Sequence, residues 1–274
     1  SAELIKMIII KDLVILNLPK TGSSFVRKVI KDIFLKRRNK TLTGRILNKL
    51  RIKSIGYKEI MTDHPIVSNK RDQHGCFDQI PEKDKHKEIL SVVRDPYLRL
   101  ESLYKHRFWA RYPPVGKKQL ETLFPTFPDL SIQEYLKLQM VGNDQMKEKY
   151  GIDKNVKIGN QSIQFIRFFF RDHKQVLSEM DHDYIKNGEF KKDMISVTLL
   201  KNENLNSELA SFLSKNSFSK EEVNFVLSHE KVNVAKDDME KSLIDQDLIH
   251  FVNENEWILL EILSSLGINY KREL

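Results

Sequence analysis

The stretch Asp12-Leu-Val-Ile-Leu-Asn-Leu-Pro-Lys-Thr-Gly-Ser-Ser-Phe25 decides the fold class. Asp12 to Leu18 is a short, nearly continuous apolar run rich in branched side chains and stopped by Pro19, the pattern of a strand buried on both faces. Such a strand belongs in a central parallel sheet flanked by helices. After the Pro-Lys-Thr-Gly turn, Ser23 or Ser24 is expected to cap a helix in which Phe25, Val26, Val29, Ile30, Ile33 and Phe34 recur at helical spacing. The segment reads as strand, tight loop, helix.

Working outward, Ile89-Leu-Ser-Val-Val93 begins a second such unit, with Asp95 placed to cap a helix and Pro96 to occupy its first position. Residues 57–62 and 194–200 are further strand candidates. Four prolines between 111 and 128 predict an irregular excursion on the substrate side. From Leu205 onward the pattern is helical, most regularly over 243–266. A chain of 274 residues with 40% apolar content can bury a full core, so one α/β domain over 1–274 is expected.

A formal charge of +8 selects anionic partners: a phosphorylated cofactor, an acidic glycan, nucleic acid or a membrane surface. The charge is uneven, since residues 27–53 hold eleven Lys or Arg against one acid, Asp32. A solvated helix face and loop accounts for this more readily than a dedicated polyanion site does. The single cysteine, Cys76, excludes an internal disulfide and a thiolate metal site, which suits a reducing cytoplasm. No apolar run approaches the roughly twenty residues that span a bilayer, and residues 1–6 do not read as a signal peptide.

The Leu18–Phe25 turn joins several features that hold a phosphate. Gly22 lets the backbone approach an anion, and the following helix start directs free N–H groups and a positive dipole end toward it. Lys20, Thr21, Ser23 and Ser24 add a cation and three hydroxyls. The Walker pattern G-x-x-x-x-G-K-S/T is not met, because Lys20 precedes the glycine. An ordinary ATPase or GTPase is thereby disfavoured.

Pro19-Lys-Thr-Gly-Ser-Ser24 resembles the 5′-phosphosulfate loop of the sulfotransferase family. Arg94-Asp-Pro-Tyr-Leu-Arg-Leu-Glu-Ser-Leu-Tyr104 resembles its 3′-phosphate motif, R-D-P-x-x-R-x-x-S-x-Y. The resemblance implies a P-loop-like sulfotransferase fold with a helical C-terminal part, and 3′-phosphoadenosine 5′-phosphosulfate (PAPS) as sulfuryl donor. It further implies that Pro19, Lys20, Thr21, Gly22, Ser23 and Ser24 hold the phosphosulfate, and that Arg94 and Ser102 hold the 3′-phosphate. Weaker likeness extends to Thr198-Leu-Leu-Lys-Asn-Glu-Asn-Leu205 and to Lys231-Val-Asn-Val-Ala235, where Ala235 departs from the usual hydroxyl. The R-K-G-x-x-G loop of cytosolic small-molecule members is absent, so the chain is closer to the carbohydrate-type and bacterial branch.

Sulfuryl transfer, like phosphoryl transfer, asks a protein chiefly to position reactants and stabilise charge. Lys20 is the candidate for the charge on the departing oxygen. No metal is required. The acceptor hydroxyl or amine, with a carbohydrate among the candidates, must lose a proton, and a histidine with a pKa near ~6.5 suits that role. His74 is the first choice, standing upstream of the Arg94 motif where many family members place a histidine; His64 is the second. His173 and the Asp181-His-Asp183 triplet read as solvated loop, and Phe168, Phe169, Phe170, Trp109 and Trp257 as core. Two other functions stay open at this stage, a P-loop nucleotide kinase and a non-catalytic polyanion-binding protein.

Overall fold

The structure, a computed structural model, describes residues 7–49, 56–60, 62–63, 71–72, 75–229 and 242–273. Its strands are β1 (Met7–Ile9), β2 (Leu13–Ile15), β3 (Lys58–Ile60), β4 (Thr62–Asp63), β5 (Arg71–Asp72), β6 (Glu88–Val93) and β7 (Thr198–Lys201). Its helices begin with α1 (Ser23–Asn39), α2 (Leu42–Lys49), α3 (Pro96–His106), α4 (Phe108–Arg111), α5 (Lys117–Leu123) and α6 (Ile132–Tyr150). They continue with α7 (Asn160–Phe169), α8 (His173–Glu179), α9 (His182–Lys186), α10 (Leu205–Lys215), α11 (Lys220–Ser228), α12 (Gln246–Asn255) and α13 (Trp257–Ser265). None of the described helices is long and apolar enough to cross a membrane.

The chain divides into two compact units, Ser1–Arg94 with Ser196–Asp238, and Asp95–Ile195 with Met239–Leu274. The first is α/β. Its five-stranded sheet has the order β3-β1-β2-β6-β7, with β2, β6 and β7 parallel and β1 antiparallel to both β2 and β3. The sheet is therefore mixed, not wholly parallel as the Leu13–Leu18 run suggested. The reason lies just upstream: Met7–Ile9 is itself a strand, joined to β2 by a tight turn closed by Ile10 N–H donating to the Leu13 carbonyl at 2.9 Å. A connection that short permits only antiparallel pairing.

Both faces of β2 are buried, as its composition predicts. Ile8, Ile15, Leu90, Val92 and Leu200 meet Phe25, Val26, Val29, Ile30 and Ile33 of α1 and Leu209 and Leu213 of α10 in one core. Each such aliphatic side chain contributes about 1.5–3 kcal/mol when withdrawn from water.

The basic stretch divides in use. Arg27 is buried, Lys31 pairs with Glu59, and the Lys36 ammonium lies over the Phe225 ring at 3.3 Å. Arg37 makes a forked bond to Glu222 at 2.5 and 2.8 Å, and Lys40 meets Glu221 at 2.7 Å. Lys31, Lys36, Arg37 and Lys40 thus tie α1 and its C-terminal end to neighbouring elements.

The second unit is helical, built on a core of Tyr97, Trp109, Tyr135, Leu138, Leu248 and Val252. The proline-rich segment is more ordered than expected. Residues 117–123 form α5, because its prolines stand outside a run of good helix formers, and Val115, Leu120 and Phe124 are buried. The 194–200 strand also divides: Met194 bridges Phe170 in the second unit, and the sheet strand starts at Thr198. The 243–266 helix is broken at Glu256. His173 is buried on α8 rather than in a solvated loop, with its ring 6.3 Å from that of Tyr150. Trp257 is half-buried, not core; its indole donates to the Lys157 carbonyl at 2.7 Å and stacks on His182.

Candidate functional site

Strands β2 and β6 run side by side in parallel, locked by Leu16 N–H donating to the Leu90 carbonyl and Ser91 Oγ donating to the Leu16 carbonyl, both at 2.9 Å. Their carboxyl ends therefore release Leu18 and Arg94 at the same edge of the sheet. In open α/β sheets that edge is where ligands bind.

The loop after β2 turns through two left-handed residues, Lys20 at φ 62° and Gly22 at φ 90°. Thr21 Oγ1 and Ser23 Oγ both donate to the Leu18 carbonyl, at 2.8 and 3.2 Å. These buried hydroxyls close the turn, while Lys20, Gly22 and Ser24 keep partial exposure. From the other side of the first unit, Asn202 Nδ2 donates to the Thr21 carbonyl at 2.9 Å. A Cβ at Gly22 would overlap that amide. Glycine is thus required both by its left-handed backbone and by the close approach of Asn202.

The expected serine cap is not formed. Ser23 and Ser24 fall inside the first turn of α1, Gly22 takes the cap position, and no side chain bonds the first N–H groups. The first turn also holds no acid. Elsewhere Asp95, Ser131, Ser219 and Asp245 accept such bonds for α3, α6, α11 and α12. The start of α1 therefore offers unpaired donors and a positive dipole end to whatever occupies the loop.

Burial, and then the positive charge of Arg94, hold the Lys20 ammonium below the ordinary lysine value of 10.5. A half-buried ammonium within the field of a second cation is unfavourable until an anion joins them. Lys20 and Arg94, drawn from adjacent parallel strands, supply that arrangement at the sheet edge.

Beyond Arg94 the chain enters the second unit, and most fixed positions of the second motif have structural employment there. Asp95 Oδ1 accepts from the N–H groups of Tyr97 and Leu98 at 2.8 and 3.3 Å, and its Oδ2 accepts from Arg272 at 2.6 Å. Pro96 opens α3 as expected, its carbonyl accepting from Gln161 at 3.0 Å. Arg99 is buried and donates to Gln164 at 2.6 Å and to Gln161 at 3.4 Å. Tyr104 donates to the Leu130 carbonyl at 2.8 Å and packs among Trp109 and Tyr135. Ser102 stands half-buried on α3, two turns into the helix.

Three residues outside the two phosphate motifs hold these segments. Asn202 follows β7 directly and pins the loop. Glu256, buried in the break between α12 and α13, accepts from the N–H groups of Gln161 and Ser162 at 3.0 and 2.7 Å and from Ser162 Oγ at 2.7 Å, capping α7. Burial pushes its carboxyl above the usual carboxylate range, against the opposing pull of those bonds and of Arg99. Arg272 stacks over Tyr97 as it grips Asp95. The one sequence sign of the three was an acid interrupting the 243–266 apolar pattern.

His64 and His74 lie outside the described residues, as do Lys231 and the 231–235 segment. The strands beside them in sequence, β4 and β5, pair antiparallel, Asp63 opposite Arg71 and Thr62 opposite Asp72. Among the described residues no group of three or more His, Cys, Asp or Glu is arranged to hold a metal ion. Set against known proteins, the chain matches no family model, no curated protein and no solved structure.

Proposed function

We propose that the protein is a sulfotransferase that moves the sulfuryl group of PAPS to an acceptor hydroxyl or amine. One observation carries the reading: β2 and β6 pair in parallel, so the Lys20 loop and Arg94 follow the same end of the sheet, and the helix after that loop starts with no acid or side-chain cap. The two spaced motifs select the ligand from among phosphorylated anions. In this reading the loop N–H groups of residues 20–24 and the Lys20 ammonium bind the 5′-phosphosulfate. Arg94 and Ser102 bind the 3′-phosphate.

Transfer is in line: a bond forms from the acceptor oxygen or nitrogen to sulfur as the bond from sulfur to the bridging phosphate oxygen breaks. Lys20 stabilises the charge left on that oxygen, and the acceptor proton passes to His74, or failing it His64. Acceptors with anionic character, a carbohydrate among them, suit the net charge of the chain.

The kinase alternative needs an acid at a strand end to hold magnesium. Asp95, two residues past β6, stands in such a position, and its oxygens are engaged by the α3 N–H groups and Arg272, which removes it from that role. Glu203, two residues past β7, is another acid so placed among the described residues.

Thermal denaturation with ligand tests the reading. 3′-Phosphoadenosine 5′-phosphate should raise the melting temperature without metal, and AMP should do so much less. Stabilisation by ADP with magnesium, and none by the bisphosphate, would assign the loop to a kinase.

A further inference from the structure

A face of the first unit remains unexplained by the cofactor site. Helix α2 is held to the end of α1 by Thr41, whose Oγ1 donates to the Arg38 carbonyl at 3.1 Å and accepts from Gly44 N–H at 3.0 Å. Gly44 is buried against that same carbonyl, so closely that a Cβ there would overlap it. With Gly44 turned inward, helical spacing turns Leu42, Arg45, Ile46 and Lys49 outward together. The exposures agree: Leu42 is 71% and Ile46 50% exposed, and Arg45 and Lys49 are exposed beside them. Leu35 of α1, on the helix face opposite its core residues, is 42% exposed.

The charge around these side chains has one sign. No acid occurs between Asp32 and Glu59. Arg37 and Lys40 are met by Glu222 and Glu221 of α11, but no acid among the described residues pairs with Arg45 or Lys49. Two bare aliphatic side chains flanked by cations on a short helix form the pattern of an interfacial segment. A soluble polyanion would use the cations and leave the aliphatics wet. An anionic bilayer surface takes both, the cations at the headgroups and the aliphatics just below them.

We propose that the outward face of α2 docks the protein on an anionic phospholipid surface, through Leu42 and Ile46 inserted between headgroups and Arg45 and Lys49 held at them. The protein would then act at a membrane surface. This inference is independent of the sulfotransferase reading.

Vesicle flotation of the full chain tests it, with phosphatidylcholine vesicles containing phosphatidylserine against phosphatidylcholine alone. Binding should require phosphatidylserine and weaken with salt. Leu42→Ser with Ile46→Ser, which keeps every charge, should lower partitioning about tenfold or more, and Arg45→Gln with Lys49→Gln about fivefold per cation. Heparin binding measured alongside should survive the serine pair. If the serine pair floats as wild type does, or if wild type binds both vesicles equally or neither, the docking face is overturned.

Discussion

Asn202 and Thr21, 181 residues apart in sequence, are joined by a hydrogen bond of 2.9 Å from the asparagine amide to the threonine carbonyl. The bond ties the end of β7 to the loop after β2, and the same amide occupies the space that a Cβ at Gly22 would need. The loop is therefore shaped from outside as well as by its own hydroxyls. Asn202→Ala should cost about 1 kcal/mol of stability for the lost bond. Gly22→Ala should cost about 1–2 kcal/mol for its left-handed backbone, with the overlap added. Combined, the two should cost less than their sum, since removing Asn202 makes room for the new methyl. Urea melts of the four proteins give the coupling, and strict additivity would show that the amide does not shape the loop.

The depressed Lys20 pKa sets a pH dependence for ligand binding. Above about pH 7 the phosphates of the ligand are already doubly ionised, so their titration no longer contributes. Binding requires Lys20 charged, and an anion beside it raises its pKa, so complex formation takes up a proton once the free ammonium begins to titrate. Affinity for 3′-phosphoadenosine 5′-phosphate should fall as pH rises toward the lysine range, earlier than an ordinary lysine with its value of 10.5 would allow. Lys20→Arg should bind with no such fall. Calorimetry in two buffers of different ionisation enthalpy measures the proton uptake directly.

Arg94 and Arg99 belong to one sequence motif but have different work. Arg99→Ala removes a buried side chain bonded to Gln164 and Gln161, and should destabilise the protein by about 3 kcal/mol. Arg94→Ala should weaken the bisphosphate about tenfold or more, with little effect on AMP. Equal loss for both nucleotides would remove the 3′-phosphate role from Arg94.

Glu256 caps α7 from a fully buried position, and its loss leaves donors without partners. Glu256→Ala should cost about 2 kcal/mol or more. Its folded pKa is raised above the unfolded value. The stability it contributes is accordingly full below the ordinary glutamate value and is lost as pH rises through the raised folded one. The gap in stability between wild type and Glu256→Gln should narrow as pH rises above the ordinary glutamate value, measured by urea melts. A constant gap would show that the carboxyl titrates alike in the folded and unfolded chain, with no raised value.

The parts of this architecture legible in the sequence are those fixed by local pattern. The buried run of β2, the apolar spacing of α1, and the Asp95-Pro96 start of α3 depend on neighbours within a few residues, and each stands where the pattern puts it. Met7–Ile9 escaped because three apolar residues beside a turn have no period of their own, and their strand identity comes from pairing on both sides. The Gly22 cap was hidden by two serines with better capping chemistry, which the loop turns to the Leu18 carbonyl or leaves inside the helix. Asn202 lies in the Thr198–Leu205 stretch, but its bond to Thr21, like that of Arg272 to Asp95, acts across the chain, so no local pattern marks the contact. Of the residues proposed to hold the cofactor, Lys20 and Arg94 were legible as cations following strands, while the influence of one on the other required the parallel pairing of β2 with β6.

The central claim is that the Lys20 loop and Arg94 take a nucleotide bearing a 3′-phosphate. Isothermal titration calorimetry with 3′-phosphoadenosine 5′-phosphate, with ADP plus magnesium as comparison, tests it most directly. The account predicts metal-independent binding of the bisphosphate, weakened by Arg94→Ala and by Lys20→Ala. Binding of ADP only with magnesium, or of neither nucleotide, would contradict it.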